Sequence, residues 1–267
     1  MTISTTYLNG SAPTAEELAP LAFAGFAHFT AMQVRGGRVR GLDLHLNRLR
    51  EGSDLLFGHH LPDSSILENM SAALTAADSA DSSLMVYIST RPGEFRFAAD
   101  PDLNVLVKFA DPVTPPATPL ALDLVQHERH VALVKHVGEV SKTLLLRHAK
   151  ERGFDDAAFM DRSGRISEAT IWNLAFWDGT GVTWPKADIL YGVTMQILQR
   201  QLRAEGVVQE TRQITAASIA EATSAAVLNS WSPGIGVHSI GGQRLAASLE
   251  FVHLLHDAYQ LEPLERI

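Results

Sequence analysis

Four prolines in nine residues, in the run Asp111-Pro-Val-Thr-Pro-Pro-Ala-Thr-Pro119, constrain this chain more than any other feature. Proline locks φ and has no N–H to donate, so the run can continue neither a helix nor a central strand. It favours an extended, stiff connection. The chain is therefore expected to fold in two parts: a small domain over 1–111, a linker over 112–119 and a larger domain over 120–267. At 267 residues, each part is long enough for a core of its own.

In the first part, Phe29–Val34, then Arg35-Gly-Gly-Arg38, then Val39 predicts a hairpin, because Gly-Gly supplies positive φ. Leu46, Leu49, Leu55 and Leu56 recur at helical spacing and predict a helix over 43–57, with Asp43 as N-cap and Gly58 as its stop. A second helix is predicted over 64–77. Strands follow over 84–90 and 103–109, joined by the turn Arg91-Pro92-Gly93. The second part alternates more regularly. Strands are predicted over 120–125, 131–135, 171–177, 207–211 and 225–229, with short ones around Asp161 and Ile166. Helices are predicted over 139–152, 192–206, 216–222 and 245–261.

Composition excludes several functions. Thirty acidic residues against twenty-two Lys and Arg give a formal charge of −8, and no run of basic residues forms a nucleic-acid footprint. No cysteine is present, so disulfides and thiolate metal sites are ruled out. No apolar run reaches the length of a membrane span. The N-terminus lacks a charged segment followed by an apolar one, so a cytoplasmic protein is expected. His127-Glu-Arg-His130 and His136 do not gather as a metal shell in strand-like geometry, so no metal is expected.

Lys135 carries the strongest hint of chemistry. It is one of five lysines and ends the run Val131-Ala-Leu-Val-Lys135. Desolvation at such a place disfavours the charged ammonium. A neutral amine can attack a carbonyl, so Lys135 is a candidate Schiff-base nucleophile. Read alone, a strand-end lysine more often sends its tip to water. Lys142, seven residues on, reads as a solvated helix lysine.

The surrounding order of residues adds a resemblance. After Lys135 come a helix ending in Ala149 and Gly153, a strand ending in Asp161, and Gly164-Arg-Ile-Ser-Glu168 leading to Asn173. His45-Leu-Asn-Arg48-Leu49 and Gly192-Val193-Thr194 stand before and after. From about Gly25 to about Gly242 the chain resembles the class IV aminotransferases, the fold-type-IV enzymes that use pyridoxal 5′-phosphate. They include branched-chain and D-amino-acid aminotransferases and aminodeoxychorismate lyase.

That resemblance implies a two-domain α+β or α/β fold. A small N-terminal α/β domain precedes a larger C-terminal domain, mixed and β-barrel-like, with helices, as in D-amino-acid aminotransferase. It implies that Lys135 joins the cofactor as a Schiff base and shuttles the proton. Glu168, with Asn173 nearby, would face the pyridine nitrogen. Arg48, Val193, Thr194 and Ser230 would hold the phosphate: a guanidinium fork and free helix amides both suit an anion. Phe29, Thr30 and Trp231 are the residues assigned to substrate. A homodimer is implied, with residues of a second subunit helping to close the site.

The reaction stays open. Aminotransferases of this group usually carry Phe-Glu where this chain has Phe29-Thr30. The lyases tend to carry Phe-Thr there, and an Asn-centred loop like Leu228-Asn229-Ser230. The Asp-Arg and Gly-Asp-Gly residues common to both groups are missing before Phe29. The tyrosine that follows the lysine in branched-chain enzymes is replaced by Glu139 or Val140. The leading expectation is transfer of an amino group between a small amino acid or amine and a 2-oxo acid. The second is aminodeoxychorismate lyase, releasing pyruvate to give 4-aminobenzoate. The third is a non-catalytic relative that keeps the fold.

Overall fold

Strands that bury alternate side chains build the first unit. The computed structural model describes residues 4–77, 80–90 and 101–267, so the expected Arg91-Pro92-Gly93 turn lies outside the described residues. The elements run β1 (Ser4–Leu8), α1 (Ala15–Ala24), β2 (Ala27–Val34), β3 (Arg38–Arg40), α2 (Leu42–Phe57), α3 (Asp63–Ala77), β4 (Ser82–Thr90) and β5 (Leu103–Ala110). Four strands form an antiparallel sheet in the order β1-β5-β4-β2. Leu42, Leu46, Leu49 and Phe57 of α2, with Ile66, Met70 and Ala73 of α3, share one core with Met32, Val34, Val86, Ile88, Val105 and Val107 of the sheet.

Between β2 and β3, Gly36 (φ 57°) and Gly37 (φ 69°) make the expected two-residue turn. Arg35 and Arg38 close it with backbone bonds of 2.9 and 3.1 Å. Two expectations need correcting. Helix α2 starts at Leu42 behind Gly41, which is left-handed (φ 66°), and no side chain caps it. Asp43 is not the N-cap; it lies in the first turn, where a carboxylate still favours the positive end of the helix. Helix α1 was not anticipated. Its capping box was legible nonetheless: Glu17 N donates to Thr14 Oγ1 (3.2 Å) and Thr14 N donates to Glu17 Oε2 (2.9 Å).

Two histidines are buried in this unit. His28 Nε2 lies 2.9 Å from Ser53 Oγ, and His45 Nδ1 lies 2.6 Å from Thr30 Oγ1. Burial pushes His28 down to about 4. Burial, joined by the Arg48 charge and opposed by Asp43, pushes His45 down to about 3. Both folded values lie below the unfolded value of 6.5, so their stabilisation is complete above pH 6.5 and is lost as pH falls through that window. At about pH 5 each should cost roughly 2 kcal/mol relative to about pH 8. Thermal melts over that range should show a marked drop, and the double variant H28Q/H45Q should flatten it. A flat wild-type profile between pH 7 and pH 5 would refute neutral burial.

The second unit contains β6 (Leu120–Gln126), α4 (Val140–Glu151), β7 (Asp156–Met160), β8 (Ile166–Ala169), β9 (Asn173–Trp177), β10 (Gly181–Pro185), α5 (Val193–Ala204), β11 (Val208–Arg212), β12 (Ser224–Leu228), β13 (Ile235–Ile240) and α6 (Leu249–Leu261). Hydrogen bonding runs β9-β12-β13-β6-β7-β8 and returns from β8 to β9, so six strands close a barrel. β10 and β11 extend it beyond β9. Leu122, Ala158, Ile166, Leu174, Phe176, Val227 and Val237 share one core. The alternate residues of β9 and β12, Ala175, Trp177, Ala226 and Leu228, pack instead with Leu198 and Leu202 of α5 and Phe251 and Leu255 of α6. Strands buried on both faces read as continuous apolar runs, which is how these appear in the sequence.

Packing divides the chain between Thr114 and Pro115, inside the proline run, but not by one cut. Val134–Gly138 and Leu264–Ile267 belong with the first unit, although they fall within the 120–267 range. Leu264–Arg266 pairs with β3. Phe29 N donates to Lys135 O (2.8 Å) and Val137 N to Ala27 O (3.0 Å), which fastens the lysine segment along β2.

The strand predicted over 131–135 is absent. The chain turns at His130–Leu133, with Val131 at φ 51°, and the buried Arg129 donates to Ala132 O at 2.7 Å. A short apolar run does not by itself separate a strand from a packed turn. No helix among the described residues is long and apolar enough to cross a membrane.

Candidate functional site

The six-stranded barrel sets two polar residues opposite each other. Glu168 on β8 pairs in register with Asn173 on β9, and the hairpin between them is closed by Ala169 N donating to Trp172 O (2.8 Å). Both side chains reach the backbone of one residue, Leu190. Leu190 N donates to Glu168 Oε2 (3.4 Å), and Leu190 O accepts from Asn173 Nδ2 (2.7 Å). Two residues later, Gly192 begins α5, with no side-chain cap.

Gly192 leaves room for the Asn173 side chain. A Cβ at this position would stand 2.0 Å from Asn173 Oδ1. The amides of the first helical turn, including those of Val193 and Thr194, have no intrahelical acceptor, which suits an anion. Thr194 Oγ1 donates to Asn229 O (2.9 Å) and so ties the start of α5 to the loop that carries Ser230 and Trp231. That loop is braced by Trp231 N on Asn229 Oδ1 (2.8 Å) and by Asn229 Nδ2 on Ile171 O (3.2 Å). Glu168, Asn173, Thr194 and the Ser230 loop are thus linked by hydrogen bonds within the second unit, with Val193 next to Thr194 on α5.

Glu168 is 3 % exposed and does not stand alone. Arg129 Nη1 donates to its Oε1 at 3.2 Å. The same guanidinium donates through Nε to Glu139 Oε1 (2.5 Å), and Lys142 Nζ lies 2.6 Å from Glu139 Oε2. Two acids and two bases therefore share a buried cluster. Burial pushes the Glu168 carboxyl up, and the charges of Arg129 and Lys142 pull it back only in part. Burial would also raise Glu139, but Lys142 and Arg129 beside it bring it below the usual carboxylate range. Burial lowers Lys142.

This corrects the reading of Lys142 as a solvated helix lysine, since its side chain is only 14 % exposed. Arg129 was missed altogether. Nothing local in the sequence separates it from the exposed His130 next door; its partners lie 10 and 39 residues away.

Of the remaining sequence-predicted residues, all but Trp231 lie in the first unit. Lys135 is half-buried, with Nζ 4.8 Å from the centroid of the Phe29 ring, a cation–π contact. Phe29 in turn stacks on Tyr87 at 4.9 Å. Thr30 is fully buried beside His45, its hydroxyl taken up by the imidazole. Arg48, one helical turn beyond His45 on α2, is half-buried. In the second unit Trp231 is 39 % exposed and meets Trp172 edge-on, 6.0 Å between centroids. No group of three or more His, Asp or Glu among the described residues could hold a metal ion.

Comparison with known proteins matches this arrangement to one family. The family described as amino-transferase class IV matches residues 27–240. Among solved structures, a hypothetical aminotransferase from Mycobacterium tuberculosis, in its apo form, is similar at 20 % identity and TM-score 0.80, over 95 % of this chain and 98 % of that one. A branched-chain aminotransferase from Thermoproteus uzoniensis, solved with norvaline, is similar at 16 % identity and TM-score 0.84, over 97 % and 94 %. A putative 4-amino-4-deoxychorismate lyase from Legionella pneumophila is similar at 16 % identity and TM-score 0.81, over 90 % and 92 %. At such identities the likeness shows the fold. No curated protein matches the chain.

Proposed function

The chain belongs to the class IV aminotransferase family, and from that membership we propose that it transfers an amino group between a small amino acid or amine and a 2-oxo acid. Its cofactor is pyridoxal 5′-phosphate. When bound, that group supplies an electron sink for the pair left at the substrate alpha carbon as a proton departs.

One observation carries the reading. The backbone of Leu190, two residues before Gly192, ties a buried carboxylate, Glu168, to the approach to the uncapped first turn of α5. A carboxylate suits the pyridine nitrogen of this cofactor, and free helix amides suit its phosphate. Glu168 accepts a hydrogen bond from, or pairs with, the ring nitrogen. A cation there lowers the Glu168 carboxyl that burial had raised. The amides of Val193 and Thr194, with Ser230, would hold the phosphate; Arg48 of the first unit is the guanidinium that the family resemblance assigns to it. Asn173 fixes the Leu190 carbonyl and so the approach to α5. Lys135 supplies the amine that binds the cofactor and the base that moves the alpha proton. Phe29 and Trp231 belong to the substrate side; Thr30, assigned there by the resemblance, is fully buried against His45. The working form in this reading is a homodimer. A solution mass near the 29.0 kDa of one chain at micromolar concentration would count against that.

A lyase is the second reading, favoured by Phe29-Thr30 and by the braced Asn229 loop. Acceptor dependence separates the two. Product that forms only with a 2-oxo acid present establishes the transferase. Pyruvate released from aminodeoxychorismate without an acceptor establishes the lyase. A protein that takes up no pyridoxal phosphate is neither, and keeps the fold alone.

Gly192→Ala tests the cradle directly. The new methyl group must displace the Asn173 amide, so overpacking should cost about 1–3 kcal/mol of stability. Cofactor affinity should fall by about tenfold or more as the first turn of α5 shifts. Equilibrium dialysis with pyridoxal phosphate and a thermal melt would read both. Unchanged affinity would remove the phosphate from this helix.

A further inference from the structure

Asp156 opens β7, is 5 % exposed, and has no part in the reading above. Its carboxylate takes three donors. Oδ1 accepts from Thr170 Oγ1 (2.6 Å) and from Ala157 N (2.6 Å). Oδ2 accepts from the indole Nε1 of Trp172 (2.9 Å). Thr170 and Trp172 flank Ile171 in the turn that joins β8 to β9, the hairpin whose strands carry Glu168 and Asn173 in register. The connection does not end at the turn. Ile171 O accepts from Asn229 Nδ2, and the Trp172 ring meets Trp231. Asn229 O in turn accepts from Thr194 at the start of α5.

We propose that Asp156 is a positioning residue for the cofactor site: it holds the β8–β9 turn that sets Glu168 and Asn173, and through Ile171 and Trp172 it docks the Asn229–Ser232 loop against α5. This rests on the reading of those residues as the cofactor site.

A two-residue hairpin closes with backbone bonds and needs no buried carboxylate. Burying one is costly unless strong donors surround it. Only a carboxylate can accept from a hydroxyl and an indole at once on separate oxygens; an amide would turn a donor toward one of them. Three bonds to one rigid group leave the Thr170 and Trp172 rotamers little freedom. That is the kind of support a precisely held site requires.

The test uses the full chain in four variants. Asp156→Asn sets an amide donor against Ala157 N or Trp172 Nε1, Thr170→Val removes the hydroxyl, Thr170→Ser keeps it, and Asp161→Asn removes a carboxylate at the other end of β7. Asp161 serves a different turn, accepting from Ser163 N, Arg165 N and Arg165 Nε. Amide hydrogen exchange is measured on the cofactor-free protein at 169–173 and 229–232, and pyridoxal phosphate affinity separately. D156N and T170V are expected to speed exchange in both segments and to weaken cofactor binding by about tenfold or more. T170S should match the wild type, and D161N should move neither quantity.

Exchange at 229–232 that stays within about twofold of wild type in D156N and T170V overturns the proposal. So does a D161N variant with the same losses, because the effect is then general loosening of the fold. Should D156N fail to fold, T170V and Trp172→Phe carry the same comparison. If the wild type binds no cofactor yet exchange responds as expected, the cofactor reading fails while the coupling of turn to loop stands.

Discussion

Lys135→Ala is expected to lower turnover by at least ~10³-fold and to abolish the borohydride-fixed label on the protein. Proton transfer by a positioned side chain is alone worth about 10²–10⁴-fold, and this lysine is also the proposed point of covalent attachment. Its carbonyl accepts from Phe29 N at 2.8 Å and its amine lies over the Phe29 ring, so backbone and side chain both rest on Phe29. The control is Lys142→Ala. Lys142 pairs with Glu139 inside the charge cluster, and its loss should reduce stability while the label remains on Lys135. Peptide mapping after reduction decides the matter: a label on Lys142, or full activity in K135A, would end the assignment.

Glu168→Gln should reduce turnover by about 10²-fold or more with little loss of stability, an effect of the size seen when one preorganised electrostatic partner is removed. The amide keeps the shape, and its oxygen can still accept from Arg129 Nη1, while its nitrogen turns a donor toward Leu190 N. The larger change is the loss of the negative charge that would favour a protonated pyridine nitrogen. The pH dependence of the bound cofactor's absorbance should therefore shift in E168Q, as a purely structural residue would not make it do.

Arg129→Met is the informative contrast. It strands Glu168 and Glu139 in a buried place without their shared guanidinium, a change worth about 3–5 kcal/mol of stability. Wild-type turnover in E168Q would show that no ring nitrogen sits against this carboxylate.

The sequence pattern located most elements because their causes are local. Gly36-Gly37 dictates its turn, and Gly58, Gly153 and Gly206 stop helices through positive φ that other residues avoid. Glu168, Asn173, Gly192 and Thr194 stood out through the family resemblance; in the barrel Glu168 and Asn173 bond the backbone of Leu190, and Thr194 bonds Asn229 O. The 131–135 segment misled for a physical reason. Its apolar residues satisfy a strand pattern, yet a buried guanidinium from Arg129 captures the Ala132 carbonyl and turns the chain.

By itself, then, the sequence determined the family, and it pointed to a two-part chain broken at its prolines and to a lysine, an acid and a helix start as site candidates. The break follows from backbone preferences, which act over a few positions; the family and the candidates rest on the order of landmarks along most of the chain. Only the tertiary structure decided that β8 closes on β9 to complete a barrel, that Val134–Gly138 packs with the first unit, and that Arg129 and Lys142 are buried with Glu139 and Glu168. Closure and the pairing of buried charges depend on which distant residues exclude water together. No local pattern along the chain encodes that, because the cost of a buried charge is set by its partners in space.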